Sequence, residues 1–279
     1  MNADRRRSSD VRPMVGGHVA RKRFGQHFLA DRSILDALIR AIDPRPGQAV
    51  VEIGPGLGAL TVPLLERIDH LHVLEIDRDL CARLRRRWSP DRLTLTEGDA
   101  LRVDLSTLFD ERPGVQGTRV VGNLPYNIST PLLVRLIEVR DRILDQHFLL
   151  QKEVVDRVVA SPGTSAYGRL TVLLQAFYQV ESVLDVPPEA FDPPPRVQSA
   201  LLRMRVLDQA RVASREALEQ VLSSAFAQRR KMLRSTLFPW LEAHGIDPGD
   251  IDGRLRPEDL DVRTYCAWAD ALRSINSIL

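Results

Sequence analysis

VEIGPGLGALT, residues 51–61, is the stretch on which the reading of this fold turns. An apolar run, QAVVEI, enters it, and a helical pattern, ALTVPLLERI, leaves it. Gly54, Gly56 and Gly58 between them allow a tight turn from strand to helix and a close approach of backbone to a ligand. Gly-Pro-Gly alone would also make any sharp turn. The spacing is G-x-G-x-G with an acid, Glu52, just before it, which is not the G-x-G-x-x-G of dinucleotide-binding folds.

Outward from this turn, short apolar runs alternate with helical patterns. Asp31 is placed to N-cap the amphipathic ILDALIRAI, which Pro44, Pro46 and Gly47 stop. After QAVVEI and ALTVPLLERI come the LHVLEI strand, the RDLCARLRRRW helix, and the RLTLTEG and TRVVG strands. The STPLLVRLIEV helix and the DQHFLLQ strand follow. This alternation predicts an α/β fold with an open, mostly parallel sheet, in which ligands bind beyond the carboxyl ends of the strands. Beyond Lys152 a helix (EVVDRVVA), a mixed segment and a Pro-rich loop lead into an alternating strand, and past residue 207 only helical patterns remain. The expected organisation is a basic disordered arm at 1–20, a main domain at 21–206 and a small all-helical domain at 207–279.

The chain has 279 residues, 44% hydrophobic and 27% charged, enough for one large core. No apolar run approaches the ~20 residues of a membrane helix, and the N-terminus has no signal-peptide pattern, so a cytoplasmic protein without a membrane partner is expected. Cys81 and Cys266 stand far apart, which fits a reducing compartment and excludes a cysteine-built metal site. His18, His70, His72 and His147 lack ligand spacing, so no metal is expected. Trp88, Trp240 and Trp268 fall in or beside helical patterns and read as packing residues, and Cys81 as an inert thiol on an inner helix face. Net charge is only +2, yet cations cluster at Arg5–Arg23, at Arg83–Arg87, and at Arg229, Arg230, Lys231 and Arg234. Three such clusters on a nearly neutral chain favour a polyanionic partner over merely solvated faces.

Three successive strand ends carry candidate ligand-binding groups. After the glycine loop, LHVLEIDRDL puts Glu75 at the tip of the second strand, where a carboxylate can accept from both ribose hydroxyls of a nucleoside. Asp77 competes for that role but stands where a helix N-cap is expected. TLTEGDA offers Asp99 to an adenine amine, with helix capping as its alternative use. The fourth strand end reads GNLPYNIST, residues 122–130. An adenine exocyclic amine is a poor nucleophile because its lone pair is delocalised. The Asn123 side-chain oxygen and the Leu124 carbonyl could accept its two N–H bonds and turn the nitrogen toward sp³. Pro125 stiffens the loop, and Tyr126 offers a face for an extruded base. The glycine loop resembles the first motif of S-adenosylmethionine-dependent methyltransferases, which makes the fold expectation a Rossmann-like methyltransferase domain.

VEIGPGLGALT, GNLPYNIST, QKEVVDRVVA, AYGRL, FDPPPRVQSA and FAQRRK, in this order, resemble the small-subunit ribosomal RNA adenine N6-dimethyltransferases from Arg21 nearly to the C-terminus. The resemblance implies S-adenosylmethionine as donor and S-adenosylhomocysteine as product. It also implies dimethylation of two adjacent adenosines near the 3′ end of 16S RNA within the immature 30S subunit, and an assembly role. It assigns cofactor contacts to His27, Leu29, Gly54, Gly56, Glu75, Asp99 and Asn123, with RKRFGQHFL closing over the cofactor. Phe191 becomes a second stacking surface opposite Tyr126, and Arg229, Arg230, Lys231 and Arg234 become RNA contacts. His27 stands where many members carry Asn, and Gln198 where Asp is common. Rival readings are a 23S RNA dimethylase, a DNA adenine or protein glutamine methyltransferase, and a non-catalytic RNA-binding assembly factor. The segments outside the NLPY loop weigh against the first two, and the intact acid-and-amide set against the third. With no interface legible, a monomer is expected.

Overall fold

The structure is a computed structural model that describes residues 14–15, 18–19, 27–109 and 117–277. Seven strands form one sheet: β1 Ala49–Ile53, β2 Leu71–Glu75, β3 Leu93–Glu97, β4 Thr118–Asn123, β5 Ile143–Gln151, β6 Tyr178–Val186 and β7 Ser199–Val206. Their order is β3-β2-β1-β4-β5-β7-β6. All neighbours are parallel except the two pairs made by β7, which runs against β5 and β6. The strand order reverses between β1 and β4, which is where open sheets of this kind open a crevice. The helices are α1 Arg32–Ile42, α2 Thr61–Leu65, α3 Arg78–Arg87, α4 Ser129–Arg135, α5 Lys152–Val159, α6 Arg169–Gln175, α7 Arg215–Phe226, α8 Leu237–Ala243 and α9 Val262–Asn276. The α/β expectation and the helical C-terminal part are both borne out.

Local chemistry explains the element ends. Asp31 caps α1 by accepting from Ser33 N (2.8 Å) and Ile34 N (3.1 Å). Asp77 does the same for α3, accepting from Asp79 N at 3.0 Å. The ALTVPLLERI pattern contracts to the five residues of α2. Pro63, inside it, has no N–H to give to the preceding turn, which weakens the start of the helix. Within the stretch read as a disordered arm, Met14–Val15 and His18–Val19 pair as short antiparallel strands. The rest of that arm, its arginines, and residues 21–26 of the closing segment lie outside the described residues.

Two apolar clusters sandwich the sheet. One, on the side of α1 and α2, includes Leu38, Ile39, Leu64, Leu71, Val73 and Val121. The other runs from Val51 and Leu74 through Phe148 and Tyr167 into α7 and α9. The C-terminal helices thus share the larger core instead of standing apart. Cys81 and Trp268 are buried in packing roles, and burial pushes the Cys81 thiol up to about 12.

At the end of the sheet away from the crevice, a polar ladder crosses four strands, buried at Asp145 and His147 and exposed at its Glu181 end. Arg119 on β4 donates to both oxygens of Asp145 on β5, at 2.7 and 2.9 Å. Arg203 on β7 donates through Nε to His147 Nε2 (2.9 Å) and through Nη1 to Glu181 on β6 (2.7 Å). An arginine can only donate, so His147 keeps its proton on Nδ1, 3.5 Å from Asp145 Oδ1. Burial lowers the His147 pKa. Burial raises that of Asp145, but His147 and Arg119 outweigh it and hold the carboxyl below its ordinary value. The same two arginines cap the end of α1. Arg119 Nη1 donates to the carbonyls of Ile42 (2.7 Å) and Asp43 (2.9 Å), and Arg203 Nη2 to that of Ala41 (2.6 Å). The C-terminal end of α1 is thereby fixed to the sheet, while the segment 27–29 that leads into the helix is held by its pairing with residues 191–192.

Candidate active site

A cavity of about 430 Å³ opens at the carboxyl ends of β1, β2, β3 and β4. It is lined by ten of the residues singled out in the sequence: His27, Leu29, Gly54, Gly56, Glu75, Asp99, Asn123, Leu124, Pro125 and Tyr126.

The floor is the glycine turn. Gly54 and Gly56 hold φ of 71° and 58°, a region that L side chains avoid, and a Cβ on Gly56 would lie 3.2 Å from the Phe28 ring. The Gly56 N–H donates to Glu75 Oε2 at 3.1 Å, tying the first strand end to the second. Glu75 Oε1 accepts from the N–H groups of Ile76 and Asp77, both at 2.9 Å. Burial raises the Glu75 carboxyl above its ordinary value, and these three donors oppose the shift. Glu75 thus faces the cavity while Asp77 caps α3. Asp99 does both things at once: its Oδ1 accepts from Leu101 N at 2.9 Å, and its side chain lines the wall.

Two further residues line the cavity: Glu52, which the sequence marks only as the acid before the glycine loop, and Ile76, which it does not mark at all. Glu52 is 1% exposed, accepts from Thr61 Oγ1 at 2.6 Å, and is pushed up to about 8, first by burial and then by Glu75. Ile76 lines the cavity while 42% exposed, an apolar surface ready to be covered by a flat ligand. An isoleucine after Glu75 carries no motif signal, and a strand-end acid like Glu52 shows its protonation only once its burial is known.

The fourth strand end is the most constrained. Gly122 admits no side chain, because a Cβ there would stand 2.5 Å from the Ile53 carbonyl oxygen. Asn123 donates through Nδ2 to the His27 carbonyl at 3.0 Å. A carbonyl can only accept, so this bond fixes which way the amide faces and leaves Oδ1 as the acceptor on its other side. The Pro125 carbonyl accepts from Ile128 N and Ser129 Oγ, both at 3.1 Å, which closes the loop onto α4. Tyr126 is half-buried, its hydroxyl 2.9 Å from Ser199 Oγ. The His27 ring stacks on it, with centroids 5.6 Å apart and planes at 25°. His27 is in turn held through Nδ1 by the Pro193 carbonyl at 2.8 Å.

Phe191 does not reach the cavity wall. Residues 191–192 pair with Leu29 and Phe28, and this pairing places the Phe191 ring, 4% exposed, in the apolar cluster beneath. Arg229 is also engaged within the chain, donating to Glu258 (3.1 Å) and to the Ser165 carbonyl (2.7 Å). Arg230, Lys231 and Arg234 remain exposed. Among the described residues no cluster of three or more His, Cys, Asp or Glu could hold a metal, and no helix is long and apolar enough to cross a membrane.

A glycine turn, two strand-end acids and an NLPY loop around one crevice of a 3-2-1-4-5-7-6 sheet define a Rossmann-like methyltransferase. The family model for ribosomal RNA adenine dimethylase matches residues 17–247. The chain belongs to that family. It is 54% identical to a ribosomal RNA small subunit methyltransferase A of Bordetella petrii, over 94% of this chain and 98% of the relative. A protein of the same name from Thiobacillus denitrificans is 56% identical over 89% and 96%. Among solved structures, a dimethyladenosine transferase from Plasmodium falciparum superposes with a TM-score of 0.73 at 24% identity, covering 90% of this chain and 98% of that one. The 23S rRNA methyltransferase ErmE follows at 0.62 and 25% identity, covering 87% and 99%.

Proposed function

We propose that this chain dimethylates N6 of two adjacent adenosines near the 3′ end of 16S ribosomal RNA, in the immature small subunit, with S-adenosylmethionine as donor. The observation that carries the reading is the Asn123 amide, oriented by the His27 carbonyl so that its oxygen is the acceptor left for an amine. Relatives at 52–56% identity bear a small-subunit name, which supports the small subunit over the large.

The cavity fits the donor. Glu75 and Asp99 offer carboxylates at neighbouring strand ends for the ribose hydroxyls and the adenine amine, and Leu29, Ile53, Ile76 and Leu101 give apolar walls for the adenine faces. His27, Gly54, Gly56 and Asn123 complete the set that would hold it. When bound, it supplies an electrophilic methyl group. The chain's own part is positioning. The Asn123 oxygen and the Leu124 carbonyl accept the two N–H bonds of the target amine, drawing its lone pair out of the ring. Tyr126 carries the extruded base, a contact worth about 1–3 kcal/mol. Orientation of this kind can supply roughly 7–11 kcal/mol of a barrier, so no strong base is needed and the proton leaves after transfer.

Residues 207–279 act in this reading as the RNA-binding domain, with Arg230, Lys231 and Arg234 on phosphates, while Arg229 ties the segment after α7 to Glu258 and to the Ser165 carbonyl. The protein works as a monomer in the cytoplasm, where small subunits mature. The test is transfer of tritiated methyl groups from S-adenosylmethionine to both ribosomal subunits isolated without these modifications. Label in 16S RNA is expected, and label only in 23S RNA or protein overturns the reading.

A further inference from the structure

The NLPY loop explains why a base needs an aromatic face but not why that face belongs to a tyrosine. The antiparallel strand β7 supplies the reason. It enters the sheet beside the end of β5, with Ser199 paired to Gln151 and, on the other side, to Val186 at the end of β6. The first residue of β7 therefore sits at the crevice edge. Ser199 is fully buried, 0% exposed, and its hydroxyl lies 2.9 Å from the Tyr126 hydroxyl. The backbone just before it is pinned as well, since Lys152 N donates to the Gln198 carbonyl at 2.9 Å. A serine whose own strand is bonded on both sides is a fixed point. The partner it holds belongs to a loop.

We propose that Ser199 is a positioning residue for methyl transfer, holding the Tyr126 ring plane so that a base stacked on it presents its amine to Asn123 and Leu124. This rests on the reading of Tyr126 as the platform for the target adenine. The two ends of the ring are then governed separately. The loop backbone at Pro125 fixes the Cα end through its bonds to Ile128 and Ser129, and Ser199 fixes the hydroxyl end. Without the second anchor the ring can swing about χ1 and χ2, and the amine moves out of line with the acceptors. Because burial raises the Tyr126 phenol above its ordinary value, the hydroxyl stays neutral and the bond persists through the working pH range. It also gives the FDPPPRVQS segment a role: its end delivers Ser199 to the site.

The test is a double-mutant cycle on the full-length chain with Tyr126→Phe, Ser199→Ala and the pair together. It reads kcat and KM for the small subunit and, separately, cofactor binding by calorimetry. Each single variant should lower kcat about five-fold, the loss of one ordinary hydrogen bond, and the double variant should fall no further. KM for the subunit and affinity for the cofactor should stay within about two-fold, since neither contact binds them directly. Losses that multiply in the double variant, an unimpaired Ser199→Ala, or a loss confined to cofactor affinity would each overturn the proposal. If Ser199→Ala does not fold, Tyr126→Phe removes the same bond from the half-buried side without opening a cavity, and unchanged kcat there overturns it. Wild-type transfer with unimpaired variants rejects Ser199 alone, whereas no wild-type transfer into 16S RNA rejects the platform reading and this proposal with it.

Discussion

Replacing Glu52 with glutamine should change how stability depends on pH. The carboxyl is 1% exposed, has a single hydroxyl donor, and lies near the carboxylate of Glu75. Its pKa is pushed from 4.5 to about 8, so over that interval the folded protein holds a proton that the unfolded chain has released. Stability present below the unfolded value is therefore lost as pH rises, and the loss levels off above the folded value. Between about pH 5.5 and about pH 8.5 the linkage amounts to roughly 3 kcal/mol. Glutamine is neutral throughout and can still accept from Thr61, so Glu52→Gln should lack this fall. The lowered pKa of His147 has the opposite sign, but it remains in wild type and variant and cancels in the difference; the raised carboxyl of Glu75 has the same sign as Glu52, and the coupling between the two acids is already counted in the Glu52 shift. Urea unfolding at the two pH values measures it, with the variant gaining on the wild type by about 3 kcal/mol at the higher pH relative to the lower. Parallel pH dependences in the two proteins would refute a protonated Glu52.

Asn123→Ala should cut methyl transfer by at least about a hundredfold, while calorimetry shows cofactor affinity lowered by far less, since Asn123 is one of several residues holding the cofactor but the main one orienting the amine. Gly122→Ala places a methyl group 2.5 Å from the Ile53 carbonyl; denaturant unfolding should show a loss of about 1–3 kcal/mol as the ends of β1 and β4 are forced apart. Neutralising Arg230 and Lys231 should flatten the salt dependence of subunit binding by about one log unit per lost phosphate contact, and an unaltered slope would return these residues to a solvated face.

Much of this architecture was legible because its signals are local. Apolar runs of strand length alternating with helical patterns foretold the sheet, and the glycine turn, Glu75, Asp99 and the NLPY loop announced themselves within a few residues of each strand end. What escaped detection joins residues far apart in sequence. The ladder of Arg119, Asp145, His147, Arg203 and Glu181 draws on four strands, and no spacing along the chain reveals it. The sequence offers Phe191 as a stacking surface opposite Tyr126, but its strand pairs with Leu29 and its ring lies in the core, a consequence of long-range pairing that no local spacing shows. Arg229 reads in sequence as one more cation in a run, because its partner Glu258 lies 29 residues on.

In the proposed function the site acts twice on one adenine amine. Small subunits lacking the modifications, incubated with the protein and labelled S-adenosylmethionine, can be stripped to 16S RNA, digested to nucleosides and separated by chromatography. Label is expected in N6,N6-dimethyladenosine, confined to a 3′-terminal fragment. Label in a ring-nitrogen or ribose methyl nucleoside, with none on the exocyclic amine, would contradict it.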